Sequence, residues 1–273
     1  MYANRLMTLP IAVLAIVGIV AAHGQDDNFS RCFGSNFPTA VPACTAAIES
    51  GALAGPALIR ALNWRANAHF KTRRYALAIQ DYSRVLAFNP ENVVALVGRG
   101  NAYDHLREFD RAISDYNEAL RLDPQNVEAN FGRGATYYDQ DKIDLAIQDF
   151  NTTLKLSPSH ARAMSNRGRM YLLKELLENA LGDLNAALNL DPTMANAYVN
   201  RGLVYAAMNK YDLAIKDYDN AVKYEPDFVL AIYCRGVAKT KNSDVAGGEA
   251  DIAAAKMMLP DIAERVVGLH LRP

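Results

Sequence analysis

The chain has 273 residues, 51% hydrophobic and 22% charged, with 29 basic against 30 acidic side chains. A formal net charge of −1 argues against nucleic-acid or membrane-surface binding, which draw on a field of one sign. Sixteen glycines and eleven prolines are too few for collagen or low-complexity disorder, so their positions carry the information.

The first predicted element is residues 1–24. Arg5 gives a basic start, Leu9–Ala22 (LPIAVLAIVGIVAA) is uncharged, and Ala22-His23-Gly24 precedes polar Gln25-Asp26-Asp27. This is the pattern of a secretory signal peptide cut after Gly24. The apolar run is short for a membrane span, which needs about 20 residues. Kept instead of cut, it would serve as an anchor, the one route by which this chain meets a membrane. Cleavage puts the remainder outside the cytoplasm, in the periplasm or secreted.

From residue 25 onward a period of 34 governs the chain. Pro56, Pro90, Pro124, Pro158, Pro192, Pro226 and Pro260 each follow the last by 34 residues. With the proline as position 32, six units fill 59–260, starting at Ile59, Val93, Val127, Ala161, Ala195 and Val229. Position 8 is Ala66 or Gly100, Gly134, Gly168, Gly202 and Gly236; position 20 is Ala in five units and Gly248 in the last. Two helical stretches with a break near positions 15–16 make each unit an antiparallel helix pair. The small residues let the two backbones approach, and proline ends the second helix. One pair cannot bury its apolar face alone, so neighbours must stack into a solenoid.

Carrying the register back makes 25–58 a degenerate capping unit. There Cys32 falls at position 8 and Cys44 at position 20, the point of closest approach. A disulfide between them suits an exported protein; two buried free thiols are the alternative. Cys234 is left as a small buried hydrophobe.

Two further columns are fully charged. Position 7 is Arg65, Arg99, Arg133, Arg167, Arg201 and Arg235, and position 23 is Asp81, Asp115, Asp149, Asp183, Asp217 and Asp251. Equally spaced about the break, they should face each other across each pair as bidentate structural ion pairs. The alternative is a basic groove for an acidic ligand.

These columns resemble the tetratricopeptide repeat family. The resemblance implies an all-α, right-handed superhelical solenoid of antiparallel helix pairs and a role as a protein-interaction scaffold. It departs from the family at position 11, where His69 and Lys239 replace Tyr, at polar Asn130, and at position 15, which lacks Gly. Residues 261–273 follow as a C-terminal cap, with Asp261–Leu269 as its helix.

The family lines its concave face from the first helix of each unit. That implies a partner-binding groove holding Asn67, Asn101, His105, Phe131, Tyr138, Arg162 and Arg169. Phe131 and Tyr138 lie outside the packing columns and are expected to be open to a ligand. Such a lining suits a protein partner presented as an extended peptide or amphipathic helix. The clamp pattern by which some members hold a chaperone C-terminus has no match in any three consecutive units.

No metal, nucleophile or phosphate-binding motif is present, so no cofactor, metal ion or catalytic residue is expected. An adaptor is the favoured role, a self-assembling structural protein the alternative and an enzyme subunit the remote one.

Overall fold

A computed structural model describes residues 31–33 and 37–266. Residues 1–24, read as the signal peptide, and residues 267–273 lie outside the described residues. Every regular element among those described is a helix. The chain divides after Pro124 into two compact halves.

The N-terminal half contains α1 (Phe37–Glu49), α2 (Gly55–Lys71), α3 (Tyr75–Phe88), α4 (Val93–His105) and α5 (Phe109–Leu122). Consecutive helices pack on each other, and α2 also touches α4. A disulfide joins Cys32 to Cys44 on α1, whose Cα atoms are 4.5 Å apart. Both cysteines are fully buried, at the position where later repeats place Gly and Ala.

The C-terminal half contains four further helix pairs: α6 (Val127–Asp139) with α7 (Ile143–Leu156), α8 (Ala161–Leu173) with α9 (Leu177–Leu190), α10 (Ala195–Ala207) with α11 (Tyr211–Tyr224), and α12 (Val229–Lys241) with α13 (Val245–Met258). First helices of successive repeats touch directly, α6 with α8, α8 with α10 and α10 with α12. They therefore share one face. The short α14 (Ile262–Arg265) buries Ile262 and Val266 against Ile232, Tyr233 and Val237. It covers only part of the stretch read as a capping helix, and Leu269 lies outside the described residues.

Glycine at position 8 answers a specific need. A Cβ on Gly202 would lie 2.6 Å from the Tyr218 ring, and one on Gly100 2.9 Å from that of Tyr116. Each aromatic of the second helix rests on the bare backbone of the first, and both rings are buried. Three of the first helices start on side-chain caps: Asn92 Oδ1 accepts from Ala95 N, Asn126 Oδ1 from Ala129 N and His160 Nδ1 from Ala163 N.

The turn inside each pair is unusual. Position 15 is Arg73, Arg107, Asp141, Glu175, Asn209 and Ser243, all at φ between 58° and 72°. This left-handed region normally favours glycine. The next residue's N–H closes the helix by donating to a carbonyl five residues back, as Leu176 does to Tyr171 at 2.9 Å. That bond holds the turn.

Candidate functional site

The Arg and Asp columns meet in every repeat. Arg Nε and Nη2 each donate to one oxygen of the facing Asp at 2.7–2.8 Å, in Arg65–Asp81, Arg99–Asp115, Arg133–Asp149, Arg167–Asp183, Arg201–Asp217 and Arg235–Asp251. The aspartate side chains are 4–13% exposed and the arginines 12–22%. The hydrogen bond to Asp217 raises the Arg201 pKa. Burial pushes the Asp217 carboxyl up, against the lowering by Arg201. Burial also acts on Asp251, but Arg235 and Lys239 together hold its carboxyl below the usual carboxylate range. Lys239 occupies the place of the family's Tyr and reaches Asp251 at 2.9 Å.

A third donor of the same guanidinium points back one repeat, a contact the sequence reading missed. Nη1 of Arg99, Arg167, Arg201 and Arg235 bonds Ser83, Asn151, Asn185 and Asp219 at 2.7–3.1 Å. Arg65 reaches Thr45 on α1 in the same way, at 3.1 Å. The signal was visible: position 25 holds a short polar residue in units one to five, Ser83, Asn117, Asn151, Asn185 and Asp219.

The residues assigned to the groove separate into several environments. In the N-terminal half Asn67 borders a cavity of about 420 Å³ with Phe33, Asn63, Trp64 and Tyr82. Asn101 Oδ1 accepts from the Tyr116 hydroxyl at 2.6 Å. His105 is exposed and stacks on Tyr75, ring centroids 4.7 Å apart, with Phe70 at its edge. His69, by contrast, is a packed core histidine whose pKa is lowered by burial.

In the C-terminal half Phe131 does not lie open to a ligand. It is 6% exposed, wedged against Phe150 and His160 with exposed Arg162 over its ring at 4.9 Å. The face expectation failed because His160, the cap of the next repeat, closes over the ring. Tyr138 is half-buried and lines a pocket of about 240 Å³ with Asn166, Arg169, Asn196 and Asn200. Arg169 is 6% exposed, and its Nη1 has no hydrogen-bond partner. Its interior neighbour Cys234 is fully buried, and burial pushes that thiol up to about 12, so it stays protonated. Among the described residues no group of three His, Cys, Asp or Glu side chains is placed to hold a metal ion, and no helix is long and apolar enough to cross a membrane.

Known proteins give this arrangement a context. The sequence matches no curated protein. Among solved structures, MamA is 27% identical, with a TM-score of 0.53 over 67% of this chain and all of that one. YrrB, described as a TPR protein with an unusual peptide-binding site, is 21% identical, with a TM-score of 0.53 over 68% of this chain and 96% of its own. A tetratricopeptide repeat protein from Parabacteroides merdae is 20% identical, with a TM-score of 0.69 over 91% of this chain and its full length. Tetratricopeptide repeat models match residues 34–93, 65–127, 97–151 and 131–195, and a further one matches 195–228. Matched over most of its length and built of these helix pairs, the chain belongs to the tetratricopeptide repeat family.

Proposed function

We propose that this protein is an interaction scaffold that works outside the cytoplasm and holds a peptide or helix of a protein partner on the face made by its first helices. The observation that carries this reading is the contact of α8 with α10 and of α10 with α12, which aligns polar side chains of successive repeats around one pocket. Asn196 and Asn200 keep amide groups at or near the surface there, suited to the peptide groups of an extended ligand. YrrB, with its peptide-binding site, is a precedent for such use of the fold. Export is supported by the leader-like residues 1–24 and by the buried disulfide, a bond that persists in oxidising compartments.

Photo-crosslinking tests the reading. A crosslinking amino acid at Asn196 on the first-helix face is compared with one at Lys216 on α11. Adducts with a different protein at Asn196 alone are the expected result. Adducts whose mass is a multiple of this chain would replace the adaptor with the self-assembling protein, and equal labelling at both positions would move the site off this face. Intact mass of the protein from the native envelope tests export: Gln25 is expected as the first residue.

A further inference from the structure

We propose that the edge formed by the turns of the first two repeats is a docking surface for a bilayer with anionic phosphate headgroups. Between Glu49 and Glu91 the chain has six Lys or Arg residues and a single acid, Asp81, which Arg65 already holds. Three of the remaining cations, Lys71, Arg73 and Arg74, share the turn between α2 and α3 with Thr72. The same four positions of the other five repeats carry formal charges between −1 and +1. Lys71, Arg73 and Arg74 are exposed, as is Arg107, which stands in the second repeat where Arg73 stands in the first. Among the described residues none of these four side chains forms an ion pair; Arg107 lies only against the Phe109 ring, at 5.0 Å. The net charge of −1 averages over the whole chain and conceals this excess, so a second route to a membrane opens beside the leader.

The two turns form one edge, because Tyr75 after the first stacks on His105 before the second. Their backbones are fixed: Arg73 N donates to Phe70 O at 2.9 Å and Arg107 N to Asp104 O at 2.8 Å. The cations are therefore held in place and lose little freedom on binding. The C-terminal half treats this edge differently. There position 14 of one repeat bonds an acid at position 18 of the repeat before, Lys174 to Asp144 and Asn242 to Asp212. In the N-terminal half the matching residues are Leu106 and Ala76, both exposed. Leu77 and Leu106 are 43% and 42% exposed. Leu145 and Leu213 are similarly open, but each follows an acid, Asp144 or Asp212. Only the first edge joins open leucines to cations with no acid at position 18. A soluble polyanion has no use for the leucines. A bilayer takes both, headgroup phosphates meeting the cations and the acyl boundary the leucines.

The test is co-sedimentation of the full protein, recovered from the native envelope, with phosphatidylcholine vesicles lacking or containing phosphatidylglycerol. The readout is the ratio of binding to the two, which a retained leader does not raise, since an apolar segment inserts without anionic lipid. The wild type is expected to prefer anionic vesicles about tenfold or more, less so as salt is raised. Lys71→Gln with Arg73→Asn and Arg74→Gln should abolish the preference, asparagine being chosen because it tolerates the left-handed backbone at φ 59°. As many charges removed from the C-terminal half, by Lys216→Gln with Lys223→Gln and Lys241→Gln, should leave it unchanged. Leu106→Ser should weaken binding to anionic vesicles about threefold or more. The turn variant is expected to melt like the wild type, since it loses no ion pair. Should it melt early, Lys71→Gln with Arg74→Gln, which keeps Arg73 in the turn, should still lose part of the preference. Equal binding to both vesicle kinds, a preference that the turn variants keep, or an equal loss in the C-terminal variant would overturn the proposal. Displacement by inorganic polyphosphate, with Leu106→Ser binding like the wild type, would make the edge a site for soluble polyanions and overturn the bilayer.

Discussion

Arg201 and Arg169 lie in the same half of the molecule, and both guanidinium groups are largely withdrawn from water. Arg201 is in the seam between the two helices of a repeat, where Asp217 and Asn185 satisfy Nε, Nη2 and Nη1. Arg169 is on the face of the first helices, where Nη1 finds nothing. The same chemical group is fully engaged in one place and left with an unmet donor in the other. Burial alone does not tell how far an arginine is engaged; its completed hydrogen bonding does.

The seam should break most heavily. Arg201→Leu or Asp217→Leu leaves its partner's charge uncompensated at a site only 5% exposed on the aspartate side, and each should cost about 3–5 kcal/mol in denaturant unfolding. The double substitution should recover much of that loss. Additive, small effects would put the column back among ligand contacts.

Phe131 sharpens the comparison from the other side. It belongs to the first-helix face by position but to the core by packing, so Phe131→Ala should cost about 3–4 kcal/mol. A variant that melts like the wild type while losing peptide would show the ring acting on a ligand after all. Gly202→Ala comes next. Helix propensity favours alanine by about 1 kcal/mol, but the added Cβ meets the buried Tyr218 ring, and a net loss of about 1–2 kcal/mol is expected. The smallest effect lies in the turns, which belong to neither region. Glu175→Gly, at φ 59°, relieves left-handed strain against a larger unfolded-state entropy, for a net gain of about 0.5 kcal/mol.

The repeat, its helix pairs and the meeting of Cys32 with Cys44 were legible because each is a property of one register. Positions 8 and 20 converge in every unit, so a cysteine at each had to converge as well. Phe131 was not legible in the same way. Its burial depends on Arg162 of the next repeat and on His160, which caps that repeat's first helix, and a pattern folded onto one 34-residue unit does not show what the junction with the neighbour contributes. The same blindness hid the bonds from Arg Nη1 to position 25. The turn was misleading for a different reason: the missing glycine suggested a departure, yet the backbone hydrogen bonds hold six bulkier residues in the left-handed conformation. Arg169 was visible as a candidate contact, but its distinction, a charge without a counter-charge, emerges only when the surroundings are known.

The backward reach of Nη1 bears on how the array comes apart. A linear repeat protein behaves as a chain of coupled units, each with an intrinsic stability and a term for its junction with the next. Here one guanidinium contributes to both, closing its own pair while gripping the repeat before it. A repeat that opens therefore releases a charge and strips a hydrogen-bond donor from its neighbour in the same event. Within each half, that shared group penalises isolated fraying and favours several repeats melting together, so the face made by the first helices is kept or lost as a whole.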